Sequence, residues 1–444
     1  MSPPSDGKHE EESSLAELDR SQLISRIAEL QRQVRELSQA AAQSNRVGPK
    51  SRRARKERVQ KPLSFAERRL VALRVGYLGW MFDGFAVQPN KDNTIEARLL
   101  NALRTTRLID DLDLSELNWT RGGRTDAGVS AVGNVVGIRV RSNRESPPFD
   151  YAKILNGVLP EGVRILDWAF AIDQDMPAAG RRAGREGLPF DARNDALHRT
   201  YKYFFHGNNM DLENMRAAAG FFVGRHDFRN FCKIDVKNQT SNFERVVLSI
   251  SVERVKESAL NLSGGHLSVL TVRGQAFLWH QIRNMAAVLF MVGLGREEPS
   301  VVQKLLNIER GGDFFGGKPT FRMASDLGLV LDECAYPPEV VQFCSQTASS
   351  FSLLRKIERP SRDMLLQFSL KGAVIGEMLK VCGDLPTEQG VTWKIARALA
   401  PADPWLLDFD ASSLPLVKRQ QEGDAETKIE RQRLKMLRKQ STSS

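Results

Sequence analysis

The sequence predicts a domain that combines β-strands with α-helices. Residues 70–76 read as a strand, and an amphipathic helix is expected to follow Asn93. Residues 132–140, after a glycine-rich loop, show the alternation of a strand. Residues 244–255 and 267–273 form a further pair of alternating segments, of the antiparallel type. Because both periodicities recur along the chain, we expect a mixed fold.

The first helix begins with a capping box. Asn93 precedes it, and Glu96 lies three residues on, where each side chain can cap a backbone N–H group of the other. Its buried stripe comprises Ile95, Leu99, Leu100 and Leu103. The other predicted elements are helices at 151–157, 210–219, 275–293 and 299–308, and strands at 163–168, 201–205 and 328–331.

Length and composition predict a folded protein with a polyanionic partner. The chain has 444 residues, of which 41% are hydrophobic, and a formal net charge of +10. The charge favours nucleic acid or an anionic membrane surface, and a basic tail on a neutral enzyme is the alternative. The longest apolar stretch, residues 285–294, is too short to cross a membrane. The four cysteines are scattered, so we expect no structural metal and no disulfide framework.

The chain divides into an N-terminal arm (residues 1–62), a main domain (63–345) and a C-terminal extension (346–444). A short heptad repeat at about residues 21–38 favours a parallel two-stranded coiled coil, and a single amphipathic helix laid on the protein's own body fits equally well. The basic stretch at 46–61 fits phosphate binding, a nuclear import signal or a solvated linker. The extension ends in a basic tail, which fits either an RNA-following helix or a solvated, disordered segment. The first residues are acidic and have no apolar core, which fits neither a signal peptide nor a typical transit peptide, so we expect a soluble intracellular protein.

The loop at residues 121–130, Arg-Gly-Gly-Arg-Thr-Asp-Ala-Gly-Val-Ser, holds the strongest candidate for chemistry. Its glycines allow a tight turn and the close approach of another molecule. Asp126 stands among small neighbours and close to Arg121 and Arg124. We interpret Asp126 as a nucleophile or base, whereas the loop taken alone fits a solvated turn with an ordinary surface aspartate better.

Four blocks of the sequence resemble the TruA family of tRNA pseudouridine synthases. The first is Gly-Arg-Thr-Asp-Ala-Gly-Val at residues 123–129. An Arg-x-Tyr-x-Tyr pattern follows at 199–203, and Gly-Arg-His-Asp-Phe at 224–228. The fourth is Phe-Leu-Trp-His-Gln-Ile-Arg-Asn at 277–284. The blocks occur in the family's order and lie within residues 71–331, which identifies 63–345 as the catalytic domain.

The resemblance implies a catalytic set of Asp126, Tyr201 and Arg283. Arg283 would pair with the aspartate and keep it ionised, and Tyr201 would stack on a uracil and relay a proton. For Tyr203 a place in the core is the stronger reading of the aromatic row. The residues that we expect to bind substrate are Arg124, Thr125, Arg199, Tyr203, Arg225, Arg229 and His280.

The resemblance also implies a fold and partners. The family fold is α+β, a mixed or antiparallel sheet flanked by helices with a central RNA-binding cleft. The blocks look most like the eukaryotic enzymes that modify tRNA positions 38 and 39 in the anticodon stem-loop, acting without cofactors. The resemblance implies a homodimer, as is typical of family members. We expect the protein in the cytoplasm, the nucleus or both.

Three features depart from that branch. Ala127 and Gly122-Gly123 stand where the branch usually has Lys and Cys, and the basic loop at 176–189 is unusually long. The alternatives are therefore a synthase of the same type acting on other uridines of tRNA or other RNAs, and a non-catalytic tRNA-binding or chaperone protein.

Overall fold

The structure of the protein is a computed structural model. It describes residues 67–110, 114–143, 148–173, 184–185, 187–207, 210–234, 242–255, 267–309, 312–314, 317–343, 415–419, 421, 428 and 430. The heptads at 21–38, the basic stretch at 46–61, most of the loop at 176–189 and nearly all of the extension at 346–444 lie outside the described residues. The predictions for these segments therefore stay predictions.

A nine-stranded sheet carries the fold. Its strands run in the order β4-β1-β3-β9-β5-β8-β7-β6, and the short β2 pairs with β3 beside this path. The β3–β9 contact is parallel, and the other pairs are antiparallel. The bounds are β1 Arg68–Tyr77, β2 Thr120–Arg121, β3 Ser130–Arg141, β4 Val163–Phe170, β5 His198–His206, β6 Gly224–Asp227, β7 Glu244–Arg254, β8 Leu267–Gly274 and β9 Leu329–Ala335.

Five α-helices accompany the sheet in the described part of the chain. They are α1 Ile95–Thr105, α2 Tyr151–Asn156, α3 Leu212–Gly220, α4 Gln281–Gly293 and α5 Val301–Leu306. Every residue of α4 except Arg283 is buried, as expected of a helix that is apolar on nearly all sides. The predicted α+β class is confirmed.

The sheet has a separate hydrophobic core on each side of its midpoint. The first core unites β1, β3 and β4 with α1 and α2. The second unites β5, β7 and β8 with α3, α4 and α5. Most residues of β1 and β3 are buried, whereas β4 and β8 alternate between buried and half-buried positions. The strongly apolar strands therefore have both faces covered, and the alternating strands have one.

The register of the central strands brings distant segments together. Ala131, just after the glycine-rich loop, pairs with Leu331 of β9. Leu331 pairs in turn with Tyr201 of β5. Because neighbouring strands lie about 4.8 Å apart, Tyr201 comes within two strand spacings of the strand that carries the loop. The partly buried Tyr201 ring packs against both cores.

Two predicted helix starts were wrong. The N-cap of α1 is Thr94, whose hydroxyl accepts from Ala97 N, and not Asn93. Glu96 is 3% exposed and accepts hydrogen bonds from Val87, Trp119 and Arg121 instead of closing a capping box. Helix α4 begins at Gln281 and not at 275, because His280 takes a left-handed conformation with φ of 64°. No described helix is long and apolar enough to span a membrane.

Candidate active site

A cleft of 1390 Å³ opens where the two halves of the sheet meet. The loop at 121–127 lines one wall, and residues 276–283 line another. Eight Lys or Arg residues line the cleft against three Asp residues. The basic residues are Lys91, Arg121, Arg124, Arg193, Arg199, Lys233, Arg245 and Arg283, and the acidic ones are Asp83, Asp126 and Asp191. A cleft with this excess of positive charge suits a polyanion.

Two buried side chains support the Asp126 loop from below. Asn134 Oδ1 accepts from Gly123 N, and its Nδ2 donates to Gly123 O, both at 3.0 Å. Asn134 Nδ2 also donates to the Tyr77 hydroxyl at 3.1 Å. Tyr77 and the Thr125 hydroxyl share a further hydrogen bond of 2.8 Å. Burial raises the pKa of Tyr77, so its hydroxyl stays protonated. The loop is thus joined to β1 and β3 on both sides of Arg124.

Arg199 also holds this loop. Its guanidinium donates to the carbonyl oxygens of Gly122, Gln275 and Arg193 at 2.8–3.1 Å. The residue is 8% exposed. With three nitrogens bonded to backbone, Arg199 joins the Asp126 loop to the opposite wall, which is a structural role. It also lines the cleft, and its contact with substrate stays a prediction.

Gly128 allows a second carboxylate to approach the loop. Its φ is +83°, and a Cβ there would overlap the Asp326 carboxylate. Arg283 reaches the same carboxylate, with Nη2 3.5 Å from Asp326 Oδ1, while its Nε donates to Ala324 O at 2.6 Å. The Arg283–Asp326 pair therefore packs against the loop two residues beyond Asp126.

The partners of Asp126 come from the turn before α4. Trp279 Nε1 donates to Asp126 Oδ1 at 3.1 Å, and His280 Nε2 lies 3.3 Å from Oδ2. The Asp126 side chain remains 33% exposed, towards the cleft. Both carboxylate oxygens are thus oriented, while the group stays accessible to a reacting molecule.

His280 is neutral at physiological pH. Burial lowers its pKa to about 4, assisted by the positive charges of Arg283, Lys233 and Lys318 and opposed by Asp126. A neutral imidazole next to Asp126 supplies a hydrogen-bonding group without neutralising the carboxylate. The left-handed backbone of His280 directs it to this place, and such a conformation in a non-glycine residue is typical of functional sites.

Tyr201 lies on the cleft wall formed by β5. Its ring meets Phe277 edge to face, with centroids 5.4 Å apart. Burial raises the pKa of its hydroxyl, and the nearby Asp126 raises it further. The phenol therefore stays protonated and can donate a hydrogen bond, and its role in catalysis stays a prediction.

The predicted pairing of Arg283 with Asp126 is wrong in this structure. Arg283 projects from the first turn of α4 towards the segment at 324–326, where Ala324 O and Asp326 occupy its guanidinium. No ion pair joins it to Asp126 among the described residues. The physical reason is the late start of α4: the 279–280 turn occupies the space beside Asp126 and places its own donors there.

The predicted substrate contacts are divided. His280 and the exposed Arg124 line the cleft. Thr125 lines it too but is 7% exposed and bonded to Tyr77, so it supports the loop. Tyr203 is fully buried and donates to Ser325 O, so its predicted role in binding substrate is wrong.

Arg225 and Arg229 lie outside the cleft lining. Arg225 is exposed, with Nη1 3.9 Å from Glu244, and Arg229 is paired with Asp227. Neither reaches Asp126. As contacts to phosphates elsewhere on an RNA, both stay predictions.

Sequence reasoning missed five contributors to the site. They are Tyr77, Asn134, Trp279, Asp326 and the backbone of His280. Trp279 was the most accessible to prediction, because it stands inside a recognised block next to His280. No local sequence pattern predicts a role for Tyr77, Asn134 or Asp326. Each contacts the loop only because the sheet or a long connection brings it there. Among the described residues no cluster of three or more His, Cys, Asp or Glu side chains could hold a metal ion.

The chain was compared with known proteins. A family model described as tRNA pseudouridine synthase matches residues 218–337. The chain is 39% identical to the tRNA pseudouridine(38/39) synthase of Bos taurus, covering 73% of this chain and 68% of that one. The Homo sapiens and Saccharomyces cerevisiae proteins of the same name are 38% and 33% identical, with 74% and 72% of this chain and 69% and 70% of theirs covered.

Solved structures add nothing to this comparison. The archaeal box H/ACA sRNP Nop10-Cbf5 complex aligns with 50% of this chain and 44% of its own, at 14% identity and a TM-score of 0.21, which is too low to carry an argument. The sequence relatives, by contrast, are similar over more than two thirds of both chains. Together with the Asp126 cleft, they establish that the chain belongs to the tRNA pseudouridine synthase family.

Proposed function

We propose that this protein isomerises uridine to pseudouridine at positions 38 and 39 of the tRNA anticodon stem-loop. The observation that carries the proposal is an oriented, accessible carboxylate, Asp126, which shares a basic cleft with Tyr201. The relatives bearing the name tRNA pseudouridine(38/39) synthase support the choice of positions.

The reaction balances without an oxidant or an energy source. The bond between C1′ of the ribose and N1 of uracil breaks, the base turns, and a bond between C1′ and C5 forms. C5 then loses its proton and N1 gains one. Asp126 acts as a nucleophile or as a base, at the sugar or at the uracil ring, and its two oriented oxygens suit either role. The target uridine must leave its stack to reach this carboxylate.

Tyr201 contributes a ring and a hydroxyl at the same wall. The ring is held edge-on by Phe277 and can support a flipped uracil. Because the hydroxyl stays protonated, it can donate to a carbonyl of the base or take part in moving the C5 proton. Tyr201→Phe separates these uses, since it keeps the ring and removes the hydroxyl.

Arg283 acts through its neighbours. It holds Asp326 against Gly128 and adds positive charge to the cleft. In this arrangement it positions the loop, and the donors to Asp126 are Trp279 and His280. Exchange of Asp326 for Ala should then lower activity in the same direction as loss of Arg283.

The deciding experiment compares wild type with D126N on unmodified tRNA, with pseudouridine mapped along the whole molecule. Wild-type product at 38 and 39, with none from a folded D126N variant, is expected. Product at other uridines favours the alternative target. Absence of product from wild type, together with tight tRNA binding, favours a non-catalytic binding protein and refutes the proposal.

We also propose a homodimer in the cytoplasm, the nucleus or both. The dimer follows from the family resemblance, and the heptads at 21–38 and the basic stretch at 46–61 suit dimerisation and nuclear import. Light scattering of the full chain and of a chain lacking residues 1–45 tests the dimer and the part of the heptads in it. Microscopy of the chain with and without residues 46–61 tests nuclear import.

A further inference from the structure

Trp279 and Trp80 are exposed to the same degree but occupy different surroundings. They are the two exposed tryptophans in the described part of the chain, at 43% and 44%. Trp80 lies in the short 3-10 turn Gly79–Met81 and does not line the cleft. Trp279 lines the cleft next to Asp126. An exposed tryptophan loses much of the stabilisation that burial would provide. Its exposure next to a reactive group therefore indicates a function.

Trp279 is held in place both at its ring and at its backbone. Its Nε1 donates to Asp126 Oδ1 at 3.1 Å, and its carbonyl oxygen accepts from Lys233 N at 2.9 Å. The ring tilts against His280, with centroids 4.9 Å apart. Lys233 Nζ lies 4.4 Å from the ring centroid. The ring is therefore an oriented aromatic surface with a cation over one of its faces.

A fixed ring beside a cation is the arrangement that proteins use to bind unpaired nucleotides. Bases stack on aromatic side chains irrespective of sequence, and nearby cations attract the phosphates. The surrounding cleft is basic, with Arg124 and Arg245 among its lining residues. The chemistry at this surface therefore matches a nucleotide of single-stranded RNA.

We propose that Trp279 stacks on a nucleotide next to the target uridine, and that its indole N–H couples this stacking to the orientation of Asp126. The coupling rests on the proposed function, because it needs Asp126 to be the reacting group. Since Tyr201 is assigned to the target base, the base on Trp279 is a neighbour of the target. Stacking would hold the indole still and with it the Asp126 Oδ1 atom.

Two substitutions separate binding from coupling. W279F keeps an aromatic face and removes the N–H group, so we expect RNA affinity within about threefold of wild type and a single-turnover rate roughly 10- to 100-fold lower, as for loss of one hydrogen bond to a charged acceptor. W279A removes both, so affinity should also fall by roughly 5- to 100-fold. W80A, of the same residue type and exposure but outside the cleft, should change neither quantity.

Affinity is measured with an anticodon stem-loop RNA in a D126N background, where no product forms, and the rate is measured by product mapping with saturating enzyme. Circular dichroism checks folding, and W279L replaces W279A if the alanine variant misfolds. Unchanged affinity of the folded W279A or W279L variant overturns the stacking platform. An unchanged rate for W279F overturns the coupling.

The two proposals fail in different ways. If wild type forms no pseudouridine in any uridine of the RNA, the proposed function fails, while the affinity difference between W279A and W80A still decides the platform. If wild type forms product and W279A binds and reacts as W80A does, the platform fails and the proposed function stands.

Discussion

Replacement of Gly128 by alanine tests whether the Arg283–Asp326 pair positions the Asp126 loop. The backbone at Gly128 has φ of +83°, which costs a residue with a Cβ about 1–2 kcal/mol. The new methyl group would also overlap the Asp326 carboxylate, so Asp326 must move away from Arg283. The side chains of the pair are 12% and 37% exposed, and losing this partly screened contact costs about 1 kcal/mol more.

Gly162 provides a matched control. Its φ is +85°, and the nearest atom to an added Cβ is Met81 Sδ at 2.7 Å, at the flexible end of a side chain. G162A should therefore lose only the stability that the positive φ costs a residue with a Cβ, about 1–2 kcal/mol. The lower unfolded-state entropy of alanine offsets both variants equally. We expect G128A to be about 1 kcal/mol less stable than G162A in urea unfolding.

Activity should separate the two variants more clearly than stability does. Gly128 lies two residues from Asp126, and a displacement of about 1 Å at a reacting group can cost about 100-fold in rate. We expect a single-turnover rate at least about tenfold lower for G128A, and a rate near wild type for G162A. D326A in the G128A background should restore part of the lost stability, since it removes the atoms that overlap. Equal rates for G128A and G162A, or additive effects of G128A and D326A on stability, would refute the reasoning.

Three further outcomes follow from the site. Y77F removes a hydroxyl that bonds both Asn134 and Thr125, so unfolding free energy should fall by about 1–3 kcal/mol and kcat should fall while the Kd for RNA stays constant; a change in Kd alone would contradict this. Because the pKa of His280 falls from 6.5 to about 4 on folding, the unfolded chain binds its proton first as pH drops. In urea unfolding, the free energy of unfolding should therefore be up to about 3 kcal/mol higher above pH 6.5 than at pH 4. H280N should lack this part of the pH dependence. RNA affinity should fall at least about tenfold between 50 and 200 mM salt, because the basic cleft displaces counterions from phosphates, and a flat binding curve would speak against RNA as the ligand.

Local patterns in the sequence predicted the elements well, and resemblance predicted the reacting groups. The predicted strands became β1, β3, β4, β7 and β8 with ends within a few residues of those expected. Burial alternates along β4 and β8 because these half-buried strands keep one apolar face, whereas β1 and β3 are apolar on both faces and buried on both. Asp126 and Tyr201, which short blocks of sequence carry, both line the cleft.

The order of the strands could not be read from the sequence. The parallel contact between β3 and β9 joins segments about two hundred residues apart, and it places Leu331 between Ala131 and Tyr201. The sequence pattern of β9 and its neighbours does not predict that this strand lies at the centre of the sheet. The two hydrophobic cores decide it, because β9 is the strand that both halves share.

The sequence by itself determined which residues can react, and the tertiary structure decided which of them meet. An aspartate in a glycine-rich loop is a chemical property of residues 121–130, visible without coordinates. Its partners depend on one backbone angle: because His280 is left-handed, α4 begins at Gln281, and the preceding turn presents Trp279 and His280 to Asp126. Arg283, in the first turn of α4, is thereby directed to Asp326 and not to Asp126. Packing decides which of these nearby donors meets Asp126. The spacing of residues in the sequence does not reveal it.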